Sequence, residues 1–136
     1  MRSILEKRLK YFDEINPREI YRMYHSNSEF RNMFKKESEY IEYFDELIRK
    51  IKPIEVTIYK ENIYSNNDMK KKLKHADNYT LSHYDFREDV DDEIAEIVFL
   101  EKAILLETKE VIDLYTVTIL KKENNEWKIF KDIRDK

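Results

Sequence analysis

In the first third of the chain, hydrophobic positions recur every three or four residues, which is the spacing of one face of an α-helix. They predict a first helix over about residues 4–14. Asn16 and Pro17 end this helix and begin a short second one, because asparagine caps helices well and proline suits the first helical position. The second helix is predicted to stop near His25.

A longer helical pattern follows. Hydrophobic residues from Phe30 to Ile51 keep the helical spacing, which is interrupted only at Glu37. Ser26 and Glu29 stand three residues apart ahead of this run and fit a capping box. The pattern predicts one continuous helix that begins after Ser26.

Beyond Pro53 the period changes from helical to alternating, which is typical of a half-buried strand. A first strand is predicted to begin at Ile54, and a short basic helix follows over about residues 69–76. Further strand patterns cover about residues 79–86, 93–106, 111–121 and 127–133. Helices followed by strands predict an α+β fold, in which amino-terminal helices pack on one curved antiparallel sheet, with residues 1–136 as a single domain.

The last two strand patterns flank Asn124 and Asn125 in a chain that contains no glycine. Asparagine tolerates positive φ better than other non-glycine residues, so this pair predicts a tight hairpin turn. Trp127, Ile129 and Ile133 are predicted to turn the apolar face of the last strand toward the core and the helices. Trp127 is therefore expected to be a packing residue.

Composition narrows the classes of function. Charged residues make up 40% of the chain, and ten tyrosines, seven phenylalanines and one tryptophan supply large apolar surfaces for a core. The 26 basic and 29 acidic side chains are mixed along the sequence, so no strong field favours nucleic acid. No apolar run approaches the roughly 20 residues of a membrane span or resembles a signal peptide, so a cytoplasmic location without membrane contact is expected.

The chain has neither cysteine nor glycine. Thiolate nucleophiles, disulfides and glycine-rich phosphate-binding loops are thereby excluded. The acidic run at residues 89–93 lacks the spacing and the glycine of an EF-hand and is interpreted as a solvated turn. No metal and no cofactor is predicted.

Two residue pairs could carry acid–base chemistry if their side chains face a cavity. His83 and Asp85 share one face of a predicted strand, where the carboxylate could orient the imidazole as a general base. Asp113 and Tyr115 share a face of another strand and could polarise a small carbonyl group. The alternative interpretation places both pairs on a solvated face, opposite their apolar neighbours.

The carboxy-terminal stretch EIAEIVFLEKAILLETKEVIDLYTVTILKKENNEWKIFKDI, residues 93–133, resembles the closing strands of the nuclear transport factor two-like superfamily, which includes SnoaL-like and ketosteroid isomerase-like domains. The likeness lies in a long strand, a polar turn and then Trp127 with an aliphatic residue. The resemblance implies a cystatin-like α+β roll, a conical cavity between the sheet and the helices, and a homodimer formed through the sheet.

Function does not follow from this resemblance, because the superfamily includes isomerases, dehydratases, cyclases, protein-transport factors and domains without chemistry. With no coherent catalytic set in the sequence, the leading hypothesis is a non-catalytic domain that binds a protein partner or a small apolar ligand. One alternative is a small SnoaL-like enzyme that performs acid–base chemistry. Another is a regulatory or toxin-neutralising interaction protein.

Overall fold

A computed structural model describes residues 2–65 and 93–135, and in these residues helices precede a single antiparallel sheet. The helices are α1 (Arg2–Asp13), α2 (Pro17–Arg22), α3 (Glu29–Met33) and α4 (Glu37–Lys50). The strands are β1 (Ile51–Ser65), β2 (Glu93–Leu105), β3 (Val111–Glu123) and β4 (Glu126–Asp135). The predicted α+β fold is confirmed. The helix predicted over 69–76 and the strand predicted over 79–86 lie outside the described residues.

The end of α1 and the start of α2 lie where Asn16 and Pro17 predict them, although the Asn16 side chain makes no cap hydrogen bond. Ile15 takes a left-handed conformation with φ of 54°, which turns the chain out of the helix. The Asn16 N–H then donates to the carbonyl of Tyr11 at 2.8 Å. Pro17 occupies the first position of α2, where its missing N–H leaves no hydrogen bond unmade.

The prediction of one continuous helix from Phe30 to Ile51 is wrong, because the chain forms two helices, α3 and α4, in this stretch. Phe34 leaves helical geometry with φ of −115° and ψ of 85°. A new helix begins where the backbone N–H of Lys36 donates to the Glu39 carboxylate at 3.1 Å. The interruption brings the Phe34 ring against Tyr40, with centroids 5.3 Å apart, so tertiary aromatic packing outweighs local helical spacing.

The cap of α3 is also displaced from its predicted position. Ser28 is the N-cap, and its hydroxyl accepts from the Arg31 N–H at 3.1 Å. Ser26 instead donates its hydroxyl to the Glu123 carboxylate on β3. A contact between distant parts of the chain therefore decides which serine caps the helix.

The sheet has the order β1-β2-β3-β4, and neighbouring strands are antiparallel. One edge of β4 is covered by the chain that links α2 to α3. There the His25 N–H donates to the carbonyl of Ile129, and the Ile129 N–H donates to the carbonyl of Met23, both at 2.8 Å. This pairing satisfies polar groups that an open edge would expose.

The two faces of the sheet have different environments. The helix face carries Ala95, Ile97 and Phe99 of β2, which are buried in one hydrophobic cluster with side chains of the helices. We call the opposite side the outer face; it carries the alternate residues, including Leu100 and Tyr115, which are paired in the register. The hydrophobic core therefore lies between the helices and the helix face of the sheet.

The β3–β4 turn has the predicted geometry. Asn124 and Asn125 have φ values of 53° and 65°, the positive values required at both central positions of a type I′ turn. Glu123 and Glu126 pair on either side of it, so the loop contains only the two asparagines. The prediction that asparagine replaces glycine here is confirmed.

A β-bulge in β4 changes which residues face the helices. Leu120 pairs with Ile129 and Ile119 pairs with Lys131, so Phe130 is an extra residue inserted between two paired positions of β4. Beyond it the alternation reverses: Asp132 joins the helix face, and Ile133 pairs with Val117 on the outer face. The prediction that Ile133 faces the helices is therefore wrong.

Trp127 precedes the bulge and packs against the hydrophobic core, as predicted, although its side chain is only half-buried. The Nζ atom of Lys122, its cross-strand partner, lies 5.1 Å from the ring centroid. The tryptophan is a packing residue at the margin of the core.

Candidate ligand cavity

A cavity of about 360 Å³ lies between the helices and the helix face of the sheet. Its volume falls in the range of roughly 300–1,000 Å³ that small-molecule sites occupy. Most of the wall is aromatic or aliphatic, and its apolar members are Leu5, Leu9, Phe12, Ile20, Tyr24, Phe30, Met33, Phe34, Tyr40, Tyr43, Leu47, Ile51, Pro53, Val56, Leu114 and Phe130. Such a wall suits an apolar or aromatic molecule.

The cavity has a buried end and an exposed rim. Leu5 and Tyr40 in its wall are 1% and 4% exposed, whereas Met33 and Tyr43 are 68% and 46% exposed. The aromatic wall is internally packed, since the rings of Tyr24 and Phe30 stack with centroids 3.8 Å apart. The wall is therefore held by ring contacts, and solvent reaches the site at the α3–α4 side.

A small polar cluster interrupts this apolar wall where α1 meets β4. Nη1 of Arg8 donates to Oδ2 of Asp132 at 2.9 Å and to the Tyr24 hydroxyl at 3.1 Å. The Tyr24 hydroxyl donates to the same Oδ2 at 3.4 Å, and the Thr118 hydroxyl donates to Oδ1. Both carboxylate oxygens of Asp132 therefore accept hydrogen bonds.

Burial and charge pairing set the protonation states of this cluster. Burial alone would lower the pKa of Arg8, but the negative charge of Asp132, together with Tyr24, Glu101 and the hydrogen bond to Asp132, outweighs it and the pKa is raised. Burial alone would raise the pKa of Asp132, but the charges of Arg8 and Arg134 and the hydrogen bonds from Thr118 and Arg8 together outweigh it, and the pKa is lowered. Burial raises the pKa of Tyr24, against the opposing effect of Arg8. The cluster is thus an ion pair bonded to a neutral phenol.

One donor of the cluster is unpaired. Nη2 of Arg8 is buried, and among the described residues it has no hydrogen-bond partner. The Arg8 side chain as a whole is only 11% exposed and lines the cavity. Buried polar groups in native structures are nearly always paired, so an unpaired guanidinium nitrogen at a cavity wall calls for a physical explanation.

Comparison with known proteins does not assign a function to this chain, so the function is argued from the cavity and its polar cluster. No protein-family model matches the chain, and comparison with curated proteins and with solved structures also gives no match.

The predicted pair Asp113 and Tyr115 lies on the outer face. Tyr115 is 58% exposed and stacks on Tyr59, with ring centroids 6.5 Å apart. Leu114, between the two, lines the cavity, so neither Asp113 nor Tyr115 does. The condition under which this pair could act on a cavity ligand is not met.

His83 and Asp85 lie outside the described residues, and their role stays a prediction. Within residues 2–65 and 93–135, no three His, Asp or Glu side chains group closely enough to hold a metal ion. No helix in that part of the chain is long and apolar enough to cross a bilayer.

Sequence reasoning missed both members of the buried ion pair. Arg8 carried a signal, because it stands three residues after Leu5 and four before Phe12 on the apolar stripe of α1. Asp132 carried none, since strict alternation from Ile129 would place it opposite the helices. Only the bulge at Phe130 brings it to the cavity.

Proposed function

We propose that this chain is a non-catalytic binding domain that holds a small apolar molecule in the cavity between its helices and its sheet. The observation that carries the proposal is a cavity of about 360 Å³ with a mainly aromatic and aliphatic wall. Moving apolar surface from water into such a site is favourable by roughly 25 cal/mol per Å². The few polar groups in the wall would orient the ligand.

The protonation states of the polar cluster favour binding over acid–base catalysis. An efficient general acid or base has a pKa near the working pH. The pKa of Asp132 is lowered and that of Tyr24 is raised, so both groups are moved away from neutrality. The alternative of a SnoaL-like enzyme would need His83 and Asp85, since Asp113 and Tyr115 do not line the cavity.

We also propose that the chain is a member of the nuclear transport factor two-like superfamily. Its support is the order of helices before an antiparallel sheet, and the closing hairpin with Trp127 after a tight turn. The cavity between helices and sheet agrees with the same proposal.

A pair of tryptophan substitutions on β1 tests the ligand proposal. Val56 is half-buried and lines the cavity, whereas Thr57 is exposed on the outer face. We expect Val56→Trp to fill the cavity and reduce binding of phenylnaphthylamine, a neutral probe whose emission rises in apolar surroundings. Thr57→Trp is the matched control and should bind as the wild type does. Absence of wild-type binding, or equal binding by both variants, would refute the proposal.

A second candidate function, homodimerisation through the outer face, is favoured by the Tyr59–Tyr115 stack. Each of these rings is 58% exposed, and an exposed aromatic pair on a sheet can be covered by the same pair of a second copy. We expect a dimer by sedimentation that Tyr115→Glu dissociates. Ile63→Glu, an exposed change on the helix side of β1, should leave the dimer intact. A wild-type monomer at high concentration would exclude this candidate.

A further inference from the structure

We infer that the cavity ligand carries a neutral carbonyl oxygen, which accepts a hydrogen bond from Nη2 of Arg8. This inference rests on the proposed ligand-binding function and adds the chemistry of the ligand's polar end. It starts from the one buried guanidinium nitrogen of Arg8 that has no partner among the described residues.

The guanidinium of Arg8 is held in a fixed orientation. Nη1 donates to both Asp132 and the Tyr24 hydroxyl, and the group is planar, so these two contacts also fix the direction of the N–H bonds on Nη2. Because Arg8 lines the cavity, an acceptor on a bound molecule that reaches Nη2 would complete the hydrogen bonding of this guanidinium. Preorganised donors of this kind orient a ligand at little entropic cost.

The charges of the wall favour a neutral acceptor over an anion. Basic and acidic side chains in the lining are equal in number: Arg8, Lys131 and Arg134 against Glu29, Glu101 and Asp132. Arg8 is already neutralised by Asp132, with an N–O separation of 2.9 Å. A ligand carboxylate at Nη2 would share the guanidinium with the Asp132 carboxylate, and like charges so close disfavour each other.

A carbonyl oxygen is also favoured over a hydroxyl group. The two oxygens of Asp132 already accept hydrogen bonds from Arg8, Tyr24 and Thr118. A ligand hydroxyl that accepted from Nη2 would find Oδ2 filled by two donors, and its own proton would have to share Oδ1 with the Thr118 hydroxyl. A carbonyl needs no such partner, because it only accepts.

Three probes with the same ring test this chemistry: acetylnaphthalene, its hydrocarbon isostere isopropenylnaphthalene, and naphthoate. The measured quantity is the affinity of the ketone relative to the hydrocarbon, by titration of the full chain. A hydrogen bond from a charged donor corresponds to about tenfold in affinity or more. We expect the ketone preference to fall about tenfold when Arg8 is changed, and naphthoate to bind more weakly than the ketone.

Two variants keep the test independent of folding. Arg8→Lys retains a positive charge for Asp132 but lacks the planar second nitrogen. Arg8→Met combined with Asp132→Leu removes both charges and leaves no buried ion unpaired. In both variants the ketone preference, taken as the ratio of ketone to hydrocarbon affinity in the same variant, should be lost.

The outcomes separate the inference from the function beneath it. If the hydrocarbon binds and both variants keep the wild-type ketone preference, water satisfies Nη2 and the inference is overturned, while the binding function stands. Tighter binding of naphthoate than of the ketone would overturn the inference that the ligand's acceptor is neutral. If no probe binds the wild type, the proposed function fails and the inference fails with it.

Discussion

The Arg8–Asp132 pair joins the first helix to the last strand, and its removal is the most informative perturbation of this fold. The two side chains are 11% and 16% exposed. Arg8→Met leaves a buried carboxylate whose remaining hydrogen-bond donors among the described residues are Tyr24 and Thr118. The loss of one member of a buried pair costs about 3–5 kcal/mol. That is a large part of the roughly 5–15 kcal/mol by which domains are stable.

Replacing both members should cost less than replacing one. Arg8→Met with Asp132→Leu removes the two charges together, and apolar replacement of a buried pair is often neutral or stabilising. The double-mutant cycle should therefore give a coupling energy of about 2 kcal/mol or more. Urea unfolding followed by Trp127 fluorescence measures each term, provided that the slope of free energy against urea stays constant.

The same pair predicts how stability depends on pH. Asp132 has a lower pKa in the folded protein than in the unfolded chain, where a value of about 3.9 is ordinary. The stabilisation that Asp132 gives the folded protein is therefore fully present above its pKa in the unfolded chain. It is lost as the pH falls through its pKa in the folded protein. The stability difference between the wild type and Asp132→Asn should shrink below about pH 4.

Two results would refute this reasoning. A cost below about 1 kcal/mol for Arg8→Met is typical of surface substitutions and would mean that the pair is solvated. Costs that simply add in the double variant would mean that the two charges do not interact in the folded protein.

Four further substitutions test the local geometry by thermal or urea unfolding. Asn124→Ala and Asn125→Ala should each lower the free energy of unfolding by about 1 kcal/mol, because alanine disfavours positive φ. An unchanged midpoint of unfolding would contradict the positive φ values at this turn. Ile15→Gly should raise the free energy of unfolding by about 1 kcal/mol, because Ile15 is β-branched, is 61% exposed and has a φ of 54°. A loss of stability would show that the Ile15 side chain packs against the rest of the protein. Trp127→Ala should lower the free energy of unfolding by about 2 kcal/mol, less than the roughly 3–5 kcal/mol of a fully buried ring, because Trp127 is half-buried. A loss below about 1 kcal/mol would mean that the indole is solvated.

The sequence predicts the elements well where the signal is local. The boundaries at Pro17 and the two-asparagine turn follow from the φ preferences of single residues, and the observed strands lie close to the predicted ones. The predictions that failed concern features that tertiary contacts decide. The helix break at Phe34 and the cap at Ser28 depend on contacts with residues distant in the sequence or on the adjoining helix.

For the candidate site, the family resemblance implied a cavity between helices and sheet, but one of the two residue pairs chosen from the sequence does not line the cavity of the structure. Asp113 and Tyr115 were chosen because acids and phenols on one strand face can act together, yet Leu114 occupies the cavity side of that strand. The groups that do converge, Arg8 and Asp132, are 124 residues apart. No local pattern relates residues at such a separation.

In the described residues, the sequence by itself determined that helices precede strands, the α+β class and the glycine-free turn, because periodicity and φ preference act over a few residues. The tertiary structure alone decided the chemistry of the cavity. One extra residue at Phe130 reverses the alternation of β4 and carries Asp132 to the helix face, where it meets Arg8. A strand's register depends on its neighbours, so a bulge that moves a charge from one face to the other is set by pairing and packing.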